Sequence, residues 1–259
     1  MEECEKNIAF FDSGIGGMNV LRDALNTLPR ENYIYFADTD NVPYGIKSHD
    51  EVRGFIGKAV EFLCGMNIKL LVVACNTATS LAIKHLREKY SFPIIGMEPA
   101  VKPAIENSSQ KRVLVAATTL TLKEEKLENL LNEIDINGIA DKIALDGLVR
   151  FAEDRNFSGN EPAVYLKEKF RNIDFKDYDA VVLGCTHFNY YENMIKDIIG
   201  LDDVKIIDGN EGTVKRLKSI LTENNLLNNN GSGKITYVNS CRIVSSEKEI
   251  SDYNNLLTV

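Results

Sequence analysis

The chain has no CxxC pair, and its five cysteines are odd in number and widely spaced. That pattern excludes a disulfide framework and the common dithiol redox motif; in a reducing compartment all five stay thiols. Histidine is scarce at three, and no second ligand stands at metal spacing beside the strand-end cysteines discussed below. A structural zinc site needs about four ligands, so no metal is expected. No apolar run approaches the roughly 20 residues that span a bilayer. The opening MEECEKN is acidic and polar, unlike a signal peptide. The expectation is a soluble, cytoplasmic protein that engages no membrane. Basic residues are also short, at 30 Lys and Arg against 38 Asp and Glu, for a net charge of −8. They are scattered among the acids, so no basic face for nucleic acid stands out. What is present is ordinary globular composition over 259 residues, long enough for one large domain or two moderate ones.

Short apolar strands alternate with amphipathic helices along the chain. NIAFFD, NYIYFAD, IKLLVVACN, FPIIGM, KRVLVAATT, YDAVVLGCT and VKIIDG read as strands. The segments MNVLRDALNTL, HDEVRGFIGKAVEFLCGMN, SLAIKHLREKY and LKEEKLENLLNE read as helices, and ENNLLNNNGSG as a flexible loop before a last strand, KITYVN. Strands this continuously apolar predict mainly parallel sheets covered on both faces. In such sheets ligands sit beyond the C-terminal strand ends. Asp12, Cys75, Glu98, Thr118, Cys185 and Asp208 all fall there. The pattern also repeats. Cys75 and Cys185 are 185 − 75 = 110 positions apart, and Asp12 and Thr118 are 118 − 12 = 106 apart. PIIGMEPAVKPAI is echoed by VKIIDGNEGTVKRL. Three elements recurring in one order at nearly one offset predict two related α/β units.

The chemistry concentrates at the strand ends. In DSGIGG, three glycines permit a tight turn at a helix N-terminus, where free N–H groups favour an anion. The spacing is not G-x-G-x-x-G and no Walker lysine follows, so a carboxylate or phosphate fits better than a nucleotide. A single Cys ending an apolar strand is most often a small buried hydrophobe. Two of them, at Cys75-Asn76-Thr77 and Cys185-Thr186-His187, at equivalent strand ends, point instead to thiol chemistry across a cleft. A helix N-terminus near each lowers thiol pKa, and His187 can exchange protons with Cys185. A thiol near pKa ~8.5 can act as base on one face of a carbon acid while another acts as acid on the opposite face. Inverting an amino-acid α-carbon this way needs donors for the developing carbanion. Ser13, Asn76, Thr77 and Thr186 are of the right kind. Pyridoxal phosphate would need a Schiff-base lysine, and no strand end offers one, so no cofactor is expected.

The motifs FFDSGIGG, NVPYGIKS, ACNTAT, GMEPA and LGCTHF resemble, in order and spacing, those of glutamate racemases within the wider aspartate/glutamate racemase superfamily. The resemblance runs from about Ile8 to about Gly212, most of the chain. It implies cofactor-independent, two-thiol exchange of L- and D-glutamate, supplying D-glutamate for peptidoglycan. It implies that Cys75 deprotonates the D-enantiomer with help from Asp12, and Cys185 the L-enantiomer with help from His187. Glu153 matches the family's acid near the second thiol, with Asp154 as the neighbouring alternative. By the same resemblance Asp12, Ser13, Pro43, Tyr44, Gly45, Asn76, Thr77, Thr118, Thr121, Thr186 and His187 bind substrate. The implied architecture is two related α/β domains with the active site in the cleft between them: residues 1–97 plus 208–259, and residues 98–207. A homodimer is implied as well. The chain departs from the family pattern at LDGLVRFAED, at Ala117, and at Phe188-Asn189 after GCTH. An aspartate racemase and a non-catalytic acidic-metabolite binder are the other readings; Thr79 is of the glutamate type, where aspartate racemases commonly carry His.

Overall fold

The computed structural model describes residues 3–97, 100–109 and 111–259. The first half runs β1 (Asn7–Asp12), α1 (Met18–Thr27), β2 (Tyr33–Ala37), α2 (His49–Cys64), β3 (Ile68–Val73), α3 (Asn76–Lys89), β4 (Ile94–Gly96) and α4 (Val101–Glu106). The pattern restarts with β5 (Arg112–Ala117), α5 (Thr119–Lys123), α6 (Glu125–Ile134), β6 (Ala140–Ala144), α7 (Asp146–Glu153), α8 (Asn160–Phe170), β7 (Tyr178–Leu183), α9 (Glu192–Ile199) and β8 (Lys205–Ile207). The chain closes with α10 (Asn210–Glu223), β9 (Ile235–Asn239), β10 (Arg242–Ile243) and α11 (Glu247–Leu256).

Two sheets result. One has the order β10-β9-β2-β1-β3-β4, the other β6-β5-β7-β8. Every pairing is parallel except β9 with β10. The inner order β2-β1-β3-β4 of the first sheet is reproduced by β6-β5-β7-β8 in the second. Even a register irregularity recurs, between Asn7 and Ile8 and again between Arg112 and Val113. The repeat visible in the sequence is therefore a repeat of topology. It places Cys75 and Cys185 just beyond equivalent strands, β3 and β7.

The strand residues are apolar on both faces because helices cover both. One hydrophobic cluster joins β1 residues Ile8 and Phe10 to Leu148 and Val149 of α7, Ile195 of α9 and Leu217 of α10, so the two sheets share a core on this side. Tyr253 and Leu256 of α11 belong to it too, and the Tyr253 ring stacks on Tyr237 of β9 at 4.7 Å. Local signals set helix starts. Ser48 and Glu51 form a reciprocal capping box at α2, and Thr118 caps α5 by accepting from the Thr121 N–H.

Several elements differ from the sequence expectation or carry no signal in it. LKEEKLENLLNE is divided: Glu124 takes an extended backbone, φ −71° and ψ 133°, and separates α5 from α6. The strand β6 (ADKIA) is only half-buried and lacks the apolar run that marks the inner strands. The helices α7, α8 and α11 also follow amphipathic patterns that carry no strand-end motif. Glu98, expected at a strand end, lies outside the described residues, as does its neighbour Pro99.

The polar Lys69 inside the apolar strand β3 has a structural reason. Its Nζ lies 2.6 Å from Glu31 Oε2, and both side chains are buried. The ammonium's other donors reach the carbonyls of Cys4 at 2.6 Å and Leu226 at 2.8 Å. Glu31 Oε1 accepts from the Asn228 N–H. The pair ties the N-terminal turn, β3 and the loop after α10 together. Removing one member leaves the other as an uncompensated buried charge. Lys69→Met is expected to cost roughly 3–5 kcal/mol, with part recovered in Lys69→Met/Glu31→Met. Urea unfolding measures both; a single variant as stable as the parent would contradict this account.

Candidate active site

The C-terminal ends of β1, β3, β5 and β7 converge on one cleft. Asp12 is the last residue of β1 and is fully buried. Its Oδ1 accepts from the Gly14 N–H at 2.9 Å, and its Oδ2 accepts from the Thr186 hydroxyl at 3.1 Å. Thr186 follows Cys185 after β7, so this single carboxylate spans the two sheets. Cys75 caps α3: its sulfur accepts from the Ala78 N–H at 3.4 Å and donates to Ser13 Oγ at 3.5 Å. Across the cleft, Cys185 Sγ lies 3.8 Å from His187 Nδ1. His187 Nε2 lies 2.6 Å from Glu153 Oε1, and the same oxygen accepts from the Ile15 N–H at 2.9 Å. Glu153 is the last residue of α7, so the altered segment LDGLVRFAED still brings an acid to the second thiol's side. Its neighbour Asp154 is exposed.

The glycines of DSGIGG also have a packing reason that the sequence does not express. A Cβ on Gly14 would lie 1.9 Å from Glu153 Oε1. One on Gly16 would lie 2.4 Å from Thr186 Oγ1 and 2.6 Å from His187 Nδ1. Neither position has room for a side chain, because the second sheet's polar groups occupy that space.

A hydroxyl triangle closes another side. Thr77, Thr118 and Thr121 lie 3.0 to 3.2 Å apart through their Oγ1 atoms. All three are buried. The backbone of Gly45 sits against Thr118. Tyr44 is buried, packs its ring on Phe11 and Phe55, and donates its hydroxyl to Asp38 Oδ2 at 2.5 Å. Pro43 precedes this turn and is half-buried. Asn76 is buried, and its Oδ1 has no hydrogen-bond partner among the described residues, which leaves an acceptor for a ligand donor.

Asp208, expected at a strand end, and Thr79, the residue of glutamate type, turn elsewhere. Asp208 bonds Asn189 and the Asn210 N–H. Thr79 bonds the Val73 carbonyl and the Met97 N–H, so it braces β3 against the end of β4. Three residues without a sequence signal also shape the site. Tyr35 and Tyr190 donate to the carbonyls of Gly14 and Ile15 at 2.8 and 2.9 Å, and Asp38 anchors Tyr44. Tyr35 is one more apolar-strand aromatic by pattern, and only the folded chain aims its hydroxyl at the loop.

Electrostatics overturn one expectation. The Cys75 thiol is pushed up to about 12, first by burial and then by the charge of Asp12, while its hydrogen bonds with Ser13 and the Ala78 N–H oppose the shift. The helix N-terminus does not win against desolvation here. Burial also raises Asp12, opposed by the positive His187 and the Gly14 N–H. His187 is pushed down by burial, but its hydrogen bonds to Cys185 and Glu153 outweigh this and hold it well above the usual range. As imidazolium it donates through both nitrogens. Charge on Cys185 adds a smaller upward push at Cys75. Among the described residues no cluster of His, Cys, Asp and Glu is placed to hold a metal, and no helix is long and apolar enough to cross a membrane.

Comparison with known proteins agrees along nearly the whole chain. The pattern defining the Asp/Glu/Hydantoin racemase family matches residues 17–217. Glutamate racemase 2 of Bacillus subtilis is 51% identical over 254 residues, covering 97% of this chain and 95% of that protein. The crystal structure of glutamate racemase isoform RacE1 from Bacillus anthracis superposes with a TM-score of 0.79 at 32% identity, covering 90% of this chain and 86% of that one. The glutamate racemase of Francisella tularensis in complex with D-glutamate gives a TM-score of 0.80 at 27% identity, covering 99% and 95%.

His187 carries a pH prediction. Its raised folded pKa means the folded state keeps a proton that the unfolded state loses above about 6.5. That stability is fully present below the unfolded value and is lost as pH rises through the folded one. Glu153→Gln removes one cause of the shift. The fall in unfolding free energy from about pH 6 to about pH 9 is therefore expected to be smaller in Glu153→Gln than in the parent. Equal slopes by urea titration would refute the coupling.

Proposed function

The chain belongs to the Asp/Glu/Hydantoin racemase family, and from that premise we propose that it is a glutamate racemase interconverting L- and D-glutamate. The observation that carries the mechanism is the pair of buried thiols at equivalent ends of two matching sheets, one on each side of a single cleft. A base on one face and an acid on the other invert a stereocentre. The Cys75 thiolate removes the α-proton of D-glutamate while the Cys185 thiol delivers its proton to the opposite face, giving L-glutamate. The reverse direction exchanges the roles; before another D-glutamate is turned over, Cys75 gives its proton to solvent and Cys185 takes one from solvent, so solvent hydrogen reaches Cα. Asp12 and Ser13 attend Cys75, whereas His187, held by Glu153, attends Cys185.

Charge developing on the substrate's α-carboxylate needs donors already in place. Ser13, Asn76 and Thr186 flank the thiols. The Thr77-Thr118-Thr121 triangle, with the Pro43-Tyr44-Gly45 turn beside it, offers hydroxyls to a second carboxylate at the far end. Both ends being anionic favours an acidic amino acid. No cofactor is required, because the two thiols supply both proton transfers. The same reading proposes a first domain of residues 1–97 plus 208–259 and a second of residues 98–207, supported by the packing of α10 against α1. It also proposes a cytoplasmic homodimer whose D-glutamate goes to peptidoglycan; these points rest on the family resemblance.

Circular dichroism with reduced protein, no added cofactor, and D-glutamate set against D-aspartate tests the reading. The expected result is racemisation of glutamate with solvent deuterium at Cα; neither signal with glutamate would sink it. Cys75→Ser and Cys185→Ser are each expected to lower kcat by roughly 10²–10⁴-fold, and full activity in either would rule out two thiols. Because Cys75 is pushed up to about 12, kcat/KM for D-glutamate is expected to climb with pH through the alkaline range. A flat profile would show that this thiol is not the base.

A further inference from the structure

The C-terminal hairpin is far from the substrate turn in sequence, yet one carboxylate joins them. Asp38 follows β2 and is 4% exposed. Its backbone N–H donates to the Asp12 carbonyl at 3.0 Å, so it continues the sheet edge on which the catalytic carboxylate stands. Its side chain collects donors from three neutral residues. Tyr44 donates to Oδ2 at 2.5 Å, and Asn41 Nδ2 reaches both oxygens at 3.0 and 3.1 Å. The third donor is the Ser240 hydroxyl, at 2.8 Å from Oδ1 and 202 residues away in the chain.

Ser240 is fixed in its turn. Its N–H donates to the Ala37 carbonyl at 2.9 Å, and its Oγ accepts from the Asp40 N–H at 3.0 Å. Arg242 pairs with Asp40 through two contacts of 2.6 and 2.8 Å. Ser240 and Cys241 have φ of +41° and +66°, left-handed values that tight hairpins usually assign to Asn and Gly. Non-glycine residues keep such angles only where the surroundings hold them, and the surroundings here are the Asp38–Asp40 segment.

On the other side of Asp38, Tyr44 is 1% exposed with its ring against Phe11 and Phe55. Burial, then the adjacent Asp38, keep its phenol far above the usual range and neutral. The next residue, Gly45, backs onto the side chain of Thr118, a corner of the hydroxyl triangle. A continuous path thus runs from the β9–β10 turn through Asp38 and Tyr44 to the far end of the cleft.

We propose that Asp38 and Ser240 are positioning residues: through the Tyr44 hydroxyl they hold the Pro43-Tyr44-Gly45 turn against Thr118, so that the C-terminal hairpin sets the shape of the carboxylate-binding end of the cleft. The proposal rests on the glutamate racemase reading and assigns a role to a segment that carries no motif of its own. Neither residue moves a proton, so the effect belongs in substrate binding rather than in the chemical step.

The test is steady-state kinetics on Asp38→Asn, Ser240→Ala, Tyr44→Phe and the Asp38→Asn/Tyr44→Phe double variant, with thermal unfolding of each. Asp38→Asn is expected to raise KM for glutamate about tenfold, the scale of a hydrogen bond to a charged group, with kcat held within about twofold. Ser240→Ala is expected to raise KM several-fold in the same way. The double variant is expected to be no worse than Tyr44→Phe alone, since both changes break one path. A structural role alone would lower the yield of folded protein and kcat together and leave KM in place. Unchanged KM in both Asp38→Asn and Ser240→Ala, or additive effects in the cycle, overturns the proposal while an active parent leaves the racemase reading intact. A parent inactive on glutamate overturns that reading and this proposal with it. Should Asp38→Asn fail to fold, Ser240→Ala and its double variant with Tyr44→Phe decide between the same two outcomes.

Discussion

Two carboxylates bridge the sheets, and the rest of the site depends on that bridging. Asp12, rooted in the first sheet, accepts from Thr186 beside the second thiol. Glu153, rooted beside the second sheet, accepts from Ile15 in the loop that follows Asp12 and contacts His187. Each acid therefore bonds both halves of the cleft at once. The geometry demands backbone without side chains at Gly14 and Gly16, because Glu153, Thr186 and His187 approach within the radius of a methyl group. It also carries charge across the site: His187 and Glu153 act on Asp12, and Asp12 acts on Cys75.

Burial is what makes the chemistry specific and also what makes it costly. The thiol of Cys75, the carboxyl of Asp12 and the ring of His187 are all removed from water. In each case desolvation is the largest single influence, and it disfavours the charged form. Only His187 is shifted toward its charged form, because two hydrogen-bond partners are already aimed at it. Cys75 has weaker company: a long contact to Ser13, a helix N–H at 3.4 Å, and a repelling neighbour in Asp12. Rigidity elsewhere supports such a site. The Lys69–Glu31 pair and the core shared by the two sheets hold the strand ends in register while groups that resist burial sit at their tips.

Much of the architecture was legible in the chain. Continuous apolar runs such as IKLLVV and YDAVVL could only be strands covered on both faces, and their equal spacing announced a duplicated topology. Elements whose identity depends on neighbours were not legible. β6 is half-buried at a sheet edge and lacks an apolar run. The break at Glu124 falls in a stretch whose helical propensity is unbroken, and it exists because Thr118 begins a short helix that must stop where α6 turns away. The site divides along the same line. Cys75, Cys185, Asp12 and His187 stand out because chemically active residues end strands. Tyr35, Tyr190 and Asp38 do not, because a tyrosine or an aspartate after an apolar run looks the same whether its oxygen meets water or a catalytic loop.

The sequence by itself determined the composition of each strand end, the two-unit repeat and the resemblance to racemases, since these depend on residue type and order alone. Tertiary structure decided what the order could not express. The glycines of DSGIGG leave the space that Glu153, Thr186 and His187 occupy. The Cys75 thiol is raised and not lowered, and Glu153 is the acid that meets His187. The turn between β9 and β10 reaches Tyr44 through Asp38. All four facts concern distances between groups far apart in the chain, and electrostatic and packing energies depend on those distances rather than on separation along the sequence.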